Sequence, residues 1–305
     1  MKSISTISCI IISMLIVSCK KDDNPETVNH APSIPVINSP LDNSTEQSLS
    51  ILIEWSAAED IDNDAITYNV YAGTNENSLS IISGNQTGTS YNYNNLNQLT
   101  TYFIKVEALD EHNASAESNV IQFTTTKFGS FTDTRDANTY GTVKIGNQIW
   151  MTENLRYDVS NLSWDYNNDP TNSNTYGKLY TWSGAASAAP AGWHLPTDEE
   201  WKTLEANLGM SATDLDLSGY STVRGTDQGI QLQAGGSSGM EFYPAGYRSG
   251  TSYFALGNRT YLWVNTTISN GDPYRRRLVV NDGSVYRFTN PQAGFAISIR
   301  LIKDE

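Results

Sequence analysis

"PTDEEWKTLEANLG", residues 196–209, is the stretch on which the reading turns, because three carboxylates follow closely on His194, one of only 3 histidines in the chain. That grouping has the composition of an acid/base or metal site. It also has the composition of a helix start. Thr197 and Glu200 form the reciprocal Ser/Thr-x-x-Glu box, in which each side chain satisfies a backbone N–H of the other. Asp198 and Glu199 fall in the first turn, where negative charge meets the positive end of the helix dipole. Trp201, Leu204 and Leu208 recur at helical spacing as a buried stripe, and Gly209 stops the helix. The carboxylates therefore need no active site to explain them. His194 has no second histidine near it and reads as a packed or hydrogen-bonded structural residue rather than a ligand or general base.

Around this helix the text is mostly strands. Val143 and Ile145, then Gly146 and Asn147, then Ile149 and Met151 spell a hairpin with a two-residue turn. "EFYPAGYRSG", "TYLWVNTT", "RLVVNDGSVYRF" and "FAISIRLI" are further short strands, with Asp282 and Gly283 marking a second tight hairpin. A second helix is expected in "GKLYTWSGAASAA", where Leu179, Trp182, Ala185, Ala186 and Ala189 keep helical spacing up to Pro190. Arg275, Arg276 and Arg277 read as a strand whose outward arginines meet an acidic surface.

The preceding hundred residues alternate with period two. Leu49, Ile51, Ile53 and Trp55 share one face, as do Ile66, Tyr68, Val70 and Ala72, and Tyr102, Ile104, Val106 and Ala108. Polar turns separate these runs at the short intervals of a β-sandwich. Asp60, Asp62 and Asp64 have the alternating spacing that can ring calcium with oxygens, but the glycine and the closing glutamate of a full calcium loop are missing. They read first as an acidic turn entering a strand and only weakly as metal ligands.

The formal net charge of −14 argues against a nucleic-acid partner, which requires clustered lysine and arginine. Both cysteines, Cys9 and Cys19, lie in the first twenty residues, so the folded part has no thiol for a disulfide, a zinc cage or a nucleophile. Lys2 followed by the apolar run Ile4 to Val17 is too short to span a membrane comfortably and reads as a secretory signal. "LIVSC" at its end resembles a bacterial lipobox, with Cys19 as the acylated residue that anchors the chain. Ile16 stands where leucine is commonest, and an ordinary cleaved signal is the alternative. Lys20, Lys21, Asp22 and Asp23 resemble the acidic export signal that carries lipoproteins of Bacteroidota-type bacteria to the outer face of the outer membrane. The expected organisation is a signal at 1–18, an acylated tether at 19–30, a sandwich at 31–127 and a second domain at 128–305.

Two resemblances fill in that outline. Trp55, with Leu96, Thr100 and Tyr102 in "LNQLTTYFIKVEA", resembles the fibronectin type III pattern, Tyr102 serving as the corner tyrosine and Gln98 replacing the usual proline. "FTDTRDANTYGTVKIGNQIWMTENLRY", "YGKLYTWSGA", "APAGWHLPTDEEWKTL", "PAGYR" and "GFAISIRLIKD", in that order, resemble the Fibrobacter succinogenes major paralogous domain, which is similar to C-type-lectin-like and formylglycine-generating-enzyme folds. The implied fold is an all-β fibronectin type III sandwich followed by an α+β C-type-lectin-like domain with two helices and short twisted antiparallel sheets. Many relatives carry loop cysteines that are absent here. The copper-binding cysteine pair of the enzyme-class relatives is absent too, so their oxidation cannot be inherited.

Sugar recognition uses aromatic faces and planar polar side chains, and the stretch 239–274 supplies Tyr243, Tyr247, Arg248, Tyr253, Phe254, Tyr261, Trp263, Asn265 and Asp272 as ligand candidates, most of them expected in the core. No catalytic residue or cofactor is expected. The function expected is a non-catalytic, surface-anchored binding or adhesion module for a polysaccharide or surface protein, tethered to the membrane at Cys19. The alternatives are a hydrolase or other enzyme on the same fold and a purely architectural surface protein.

Overall fold

A computed structural model describes residues 28–289 and 294–305, so the signal segment, Cys9 and Cys19 lie outside the described residues. Among these, no helix is long and apolar enough to cross a membrane. The chain is mostly β, and its first part is a sandwich. One sheet pairs Ile37–Ser39, Ile51–Trp55 and Ser90–Tyr93, in that order. The other orders Ser44–Gln47, Ile121–Thr125, Thr101–Leu109, Thr67–Gly73 and Ser80–Gln86, with Ser115–Glu117 beside Thr101–Leu109. The period-two pattern holds residue by residue. Ile51, Ile53, Trp55, Tyr68, Val70, Ala72, Tyr102, Ile104, Val106 and Ala108 are all buried in a single core, with Leu49 and Ile66 packed against it. The Tyr102 hydroxyl accepts the Asn97 N–H at 3.0 Å, as expected of a corner tyrosine.

The second part is built on two larger sheets. A five-stranded sheet orders Phe128–Thr132, Thr139–Ile145, Gln148–Met151, Ile302–Lys303 and Trp193–His194. Gly146 takes φ 58, the left-handed conformation that the expected two-residue turn requires. A six-stranded sheet orders Ser252–Leu256, Ala245–Ser249, Arg259–Thr267, Pro273–Val279 and Tyr286–Thr289, and Phe295–Ala296 pairs with Ala245–Ser249. Ser163–Trp164 and Leu179–Tyr180 form a small two-stranded sheet.

The described α-helices are α1 (Pro170–Tyr176), α2 (Trp182–Ser187), α3 (Asp198–Asn207), α4 (Ala212–Leu215) and α5 (Gln228–Leu232), with a 3-10 turn at Tyr166–Asn168, more and shorter than the two expected. Helix α3 is the one built on the capping box. Its Trp201 and Leu204 are fully buried with Trp150, Phe242, Val264 and Leu278. The Trp150 and Trp201 rings meet edge to face at 5.2 Å. Burying two such side chains contributes on the order of 4 kcal/mol to docking the helix.

Three expectations are corrected. Leu179 is strand, not helix: the Thr181 hydroxyl accepts the Gly184 N–H at 3.1 Å, and this cap starts α2 at Trp182 whatever the spacing of the apolar residues before it. Asp282 and Gly283 do not make a two-residue turn, because residues 280–285 form a longer connection between Pro273–Val279 and Tyr286–Thr289. Gly283 is required there for close approach, since a Cβ would meet the Thr226 carbonyl oxygen at 2.0 Å.

The third correction is the largest. Arg275, Arg276 and Arg277 do not point outward to solvent; their exposures are 2%, 0% and 6%. Their strand is covered on both faces, so alternate arginines are buried on opposite sides. Arg276 faces α3, giving 2.7 Å bonds to Glu205 Oε1 and to Asp198 Oδ1. Arg287 on the next strand clasps the same Asp198 carboxylate at 2.6 and 2.9 Å, and Arg224 donates to Glu205. On the other face the Arg275 guanidinium lies 4.6 Å from the Trp263 ring centre, and that of Arg277 lies 3.9 Å from Tyr286. Burial opposes ionisation of Asp198, but the two guanidiniums outweigh it and lower its carboxyl to about 2. Asp198 thus does more than complement a helix dipole. It locks α3 to the six-stranded sheet.

Candidate functional site

His194 lies on the Trp193–His194 strand, which pairs with Ile302–Lys303, so the end of the chain brings Asp304 to its ring. Its Nδ1 is 2.6 Å from Asp304 Oδ1 and its Nε2 is 2.8 Å from Glu200 Oε1. The histidine is hydrogen-bonded, as expected, and to two carboxylates. With a carboxylate facing each ring nitrogen, the imidazolium is the form that satisfies both contacts, each nitrogen donating. Partial burial disfavours the charge, but the bonds to Asp304 and Glu200 outweigh it and raise the ring above its ordinary value. In that form neither nitrogen has a lone pair for a proton or a metal. Glu200 also completes the expected box: its Oε2 accepts the Thr197 N–H at 2.7 Å, and the Thr197 hydroxyl accepts the Glu200 N–H at 3.2 Å. The group is built to clamp the last strand to the start of α3.

The ligand candidates of 239–274 separate in space. Tyr261 and Trp263 are buried, and the Trp263 Nε1–H donates to the Tyr180 carbonyl at 2.7 Å, so neither presents a face. Asn265 and Asp272 lie toward the turn of their hairpin, where the Asn265 N–H donates to Pro196 O and Asp272 Oδ2 accepts from Asn270, both at 2.7 Å. Tyr247, Arg248, Tyr253 and Phe254 belong instead to the hairpin of Ala245–Ser249 and Ser252–Leu256, and Tyr243 just precedes it. Cross-strand pairing sets Tyr247 opposite Phe254 and Arg248 opposite Tyr253, on alternate faces.

On one face Tyr247 stacks against Phe254 at 5.3 Å and Phe295 at 4.8 Å, leaving Phe254 44% exposed. On the other face the Arg248 guanidinium lies 4.0 Å from the Trp164 ring centre, and Tyr253 packs 5.2 Å from Tyr166. The Tyr253 hydroxyl donates to Asn168 Oδ1 at 2.7 Å. Trp164, Tyr166 and Asn168 come from "SWDYNN", a segment the ligand reading passed over although its rings alternate with acids and amides. Tyr243, 38% exposed, meets Tyr176 of α1 edge to face at 6.5 Å. Half-exposed rings beside a planar guanidinium and an amide can take the apolar face of a sugar and pair with its hydroxyls.

Residues 143–303, just over half of the chain, match the Fibrobacter succinogenes major domain. The chain belongs to this family. The matched stretch contains α3 with His194 and Glu200, the hairpin face and the buried arginines, while residues 37–124 match the fibronectin type III domain. Among solved structures, the chain is similar to an Fn3-like protein from Clostridium thermocellum, at 22% identity over 32% of this chain and 97% of that one, TM-score 0.26. It is also similar to a fibronectin type III domain of human fibronectin type III domain containing protein 3, at 22% identity over 33% and 92%, TM-score 0.27. A β-1,2-glucanase from Parabacteroides distasonis aligns at 18% identity over 32% of this chain and 13% of that one, TM-score 0.26. Likeness at this level bears on neither activity nor ligand. No curated protein matches the chain.

In the fibronectin type III domain the acidic turn has its own internal logic. Asp60 Oδ1 accepts the backbone N–H groups of Asp62 and Asp64 at 2.8 and 3.2 Å. His30 Nδ1 lies 3.0 Å from Asp62 Oδ2, and His112 Nδ1 lies 3.0 Å from Asp64 Oδ2. The His30 backbone N–H, then its ring, hold Asp62 below the usual carboxylate range, and the bond to Asp64 raises His112. The three aspartates offer oxygens within 4.8 Å of one another, as do the ligand atoms of Asp64, Glu111 and His112. These bonds build the turn, while the buried Asp60 Oδ2 has no hydrogen-bond partner among the described residues.

Proposed function

We propose that this chain is a non-catalytic surface lipoprotein that binds glycans through the hairpin face of its major domain. Acylation at Cys19 anchors it to the outer membrane, the charged residues after it direct it to the cell surface, and the fibronectin type III domain holds the major domain away from the membrane. We read the major domain as C-type-lectin-like, a reading supported by its mostly antiparallel sheets, its long connections and the packing of α3 on them.

The observation that carries the binding reading is the cluster of Trp164, Arg248, Tyr253 and Asn168. It sets two half-exposed rings, a guanidinium and an amide side by side without burying them. The imidazolium clamp supports the non-catalytic reading, since its histidine is engaged at both nitrogens. The test is a glycan array with soluble-polysaccharide pull-down on the full chain, against Arg248→Ala and Tyr253→Ala. Binding of at least one glycan that falls tenfold or more in either variant, with unchanged melting, is the expected result. Turnover of a substrate that is abolished by His194→Ala would replace the proposal with an enzymatic one.

A further inference from the structure

A cleft of about 850 Å³ lies between the fibronectin type III domain and the sheet that follows it. This is within the size range of small-ligand sites, which favour domain interfaces. Gln98 ties its walls together. The buried side-chain amide donates to the Lys127 carbonyl at 2.7 Å, and the Lys144 amine donates to the Gln98 backbone carbonyl at 3.3 Å. The glutamine side chain that stands in place of the usual proline fastens this wall to Lys127, and a preformed site avoids the cost of ordering its walls on binding. Gly129 permits the fit, because a Cβ there would lie 3.0 Å from the Gln98 side chain.

The chemistry of the lining differs from the rest of the surface. Acidic residues outnumber basic ones 33 to 19 in the chain, yet the described lining contains Lys144 and Lys303 and no carboxylate. Asp304, next to Lys303, is bonded to His194. The opposite wall presents the exposed amides of Asn94, Asn95 and Asn97, and no aromatic ring is among the described lining residues. Such a wall cannot stack on a sugar, but it can donate to and accept from hydroxyls while two ammonium groups meet an anion.

We infer that this cleft binds an anionic saccharide, its carboxylate or sulfate paired with Lys144 and Lys303 and its hydroxyls with Asn94, Asn95 and Asn97. The site is separate from the hairpin face and stands without it. Calorimetry on the full chain with oligogalacturonate, a sulfated galactan oligosaccharide and neutral galacto-oligosaccharide tests it. An anionic arm is expected to bind, with affinity that falls as salt rises and drops at least tenfold in the Lys144→Gln, Lys303→Glu double variant and severalfold in Lys303→Glu alone. Which anionic arm binds identifies the charged group. Tyr253→Ala should leave this binding unchanged, so that loss of one site is distinguishable from loss of the other. Equal affinity for the neutral arm, full affinity in double and single variants that melt as wild type does, or no binding of either anionic arm would overturn the inference.

Discussion

His194 shows how one residue can carry the composition of an active site and the wiring of a clamp. Its protonated ring bridges Glu200 and Asp304, so its contribution to stability depends on pH in a direction the contacts fix. The folded-state pKa is raised, so the clamp is fully present below the unfolded histidine value of about 6.5 and is lost as pH rises through the folded value. Burial opposes ionisation of Glu200, but the Thr197 N–H and His194 outweigh it and hold the carboxyl low, so that partner fails only in acid. The stability difference between wild type and His194→Ala, measured by urea unfolding, should therefore be largest near about pH 5–6 and shrink toward pH 9. A difference that grows with pH would contradict this wiring. The Thr197–Glu200 box was legible in the sequence because both partners are local. Asp304 was not, because its meeting with His194 depends on a strand pairing between residues 110 positions apart.

Among the elements, α3 was read correctly for its start, its Trp201 and Leu204 stripe and its stop at Gly209, all of which are written in spacing and caps. What the sequence concealed is why the helix stays docked. Asp198 and Glu205 reach Arg276 and Arg287 across 71 to 89 residues, and no periodicity reports a pairing of that range. The same limit explains the arginine strand, where a charged run suggests a wet face until both sides of the sheet are known to be covered. Asp198→Asn leaves two buried guanidiniums short of charge and should lower stability by about 3–5 kcal/mol at pH 7. Because the folded Asp198 carboxyl titrates at about 2, the wild-type advantage should fade as pH drops from about 4 toward 2. Guanidinium denaturation of both proteins across that range checks the size and the sign. A loss under 1 kcal/mol at pH 7 would mean that the network does not hold the helix.

On the scale of the whole molecule, Gln98 joins the fibronectin type III domain to the strands that follow, accepting from Lys144 and donating to Lys127 at the base of the major domain. Gln98→Ala removes the side-chain bond to the Lys127 carbonyl, which keeps the Lys144 backbone N–H, so the cost is that of one hydrogen bond, about 0.5–1.5 kcal/mol, and small-angle scattering should show a broader range of molecular shapes than wild type does. The two-part architecture was legible from the shift between period-two strands and the capped helix. The junction was not, since the one departure from the fibronectin pattern showed that a proline was missing and not what the glutamine would touch. Exposure among the ligand candidates was half legible: aromatic content marked the hairpin, but core tryptophan and surface tyrosine look alike until burial separates Trp263 from Tyr253. We propose that recognition belongs to these surfaces and that the His194 group only braces the chain. Hydrogen exchange on the full chain, with and without a polysaccharide selected by the glycan array or an oligogalacturonate, tests this most directly. Ligand protection is expected at 245–256 or along 94–98, with none at 193–200; protection centred on His194, Glu200 and Asp304 would contradict it and make the clamp the site.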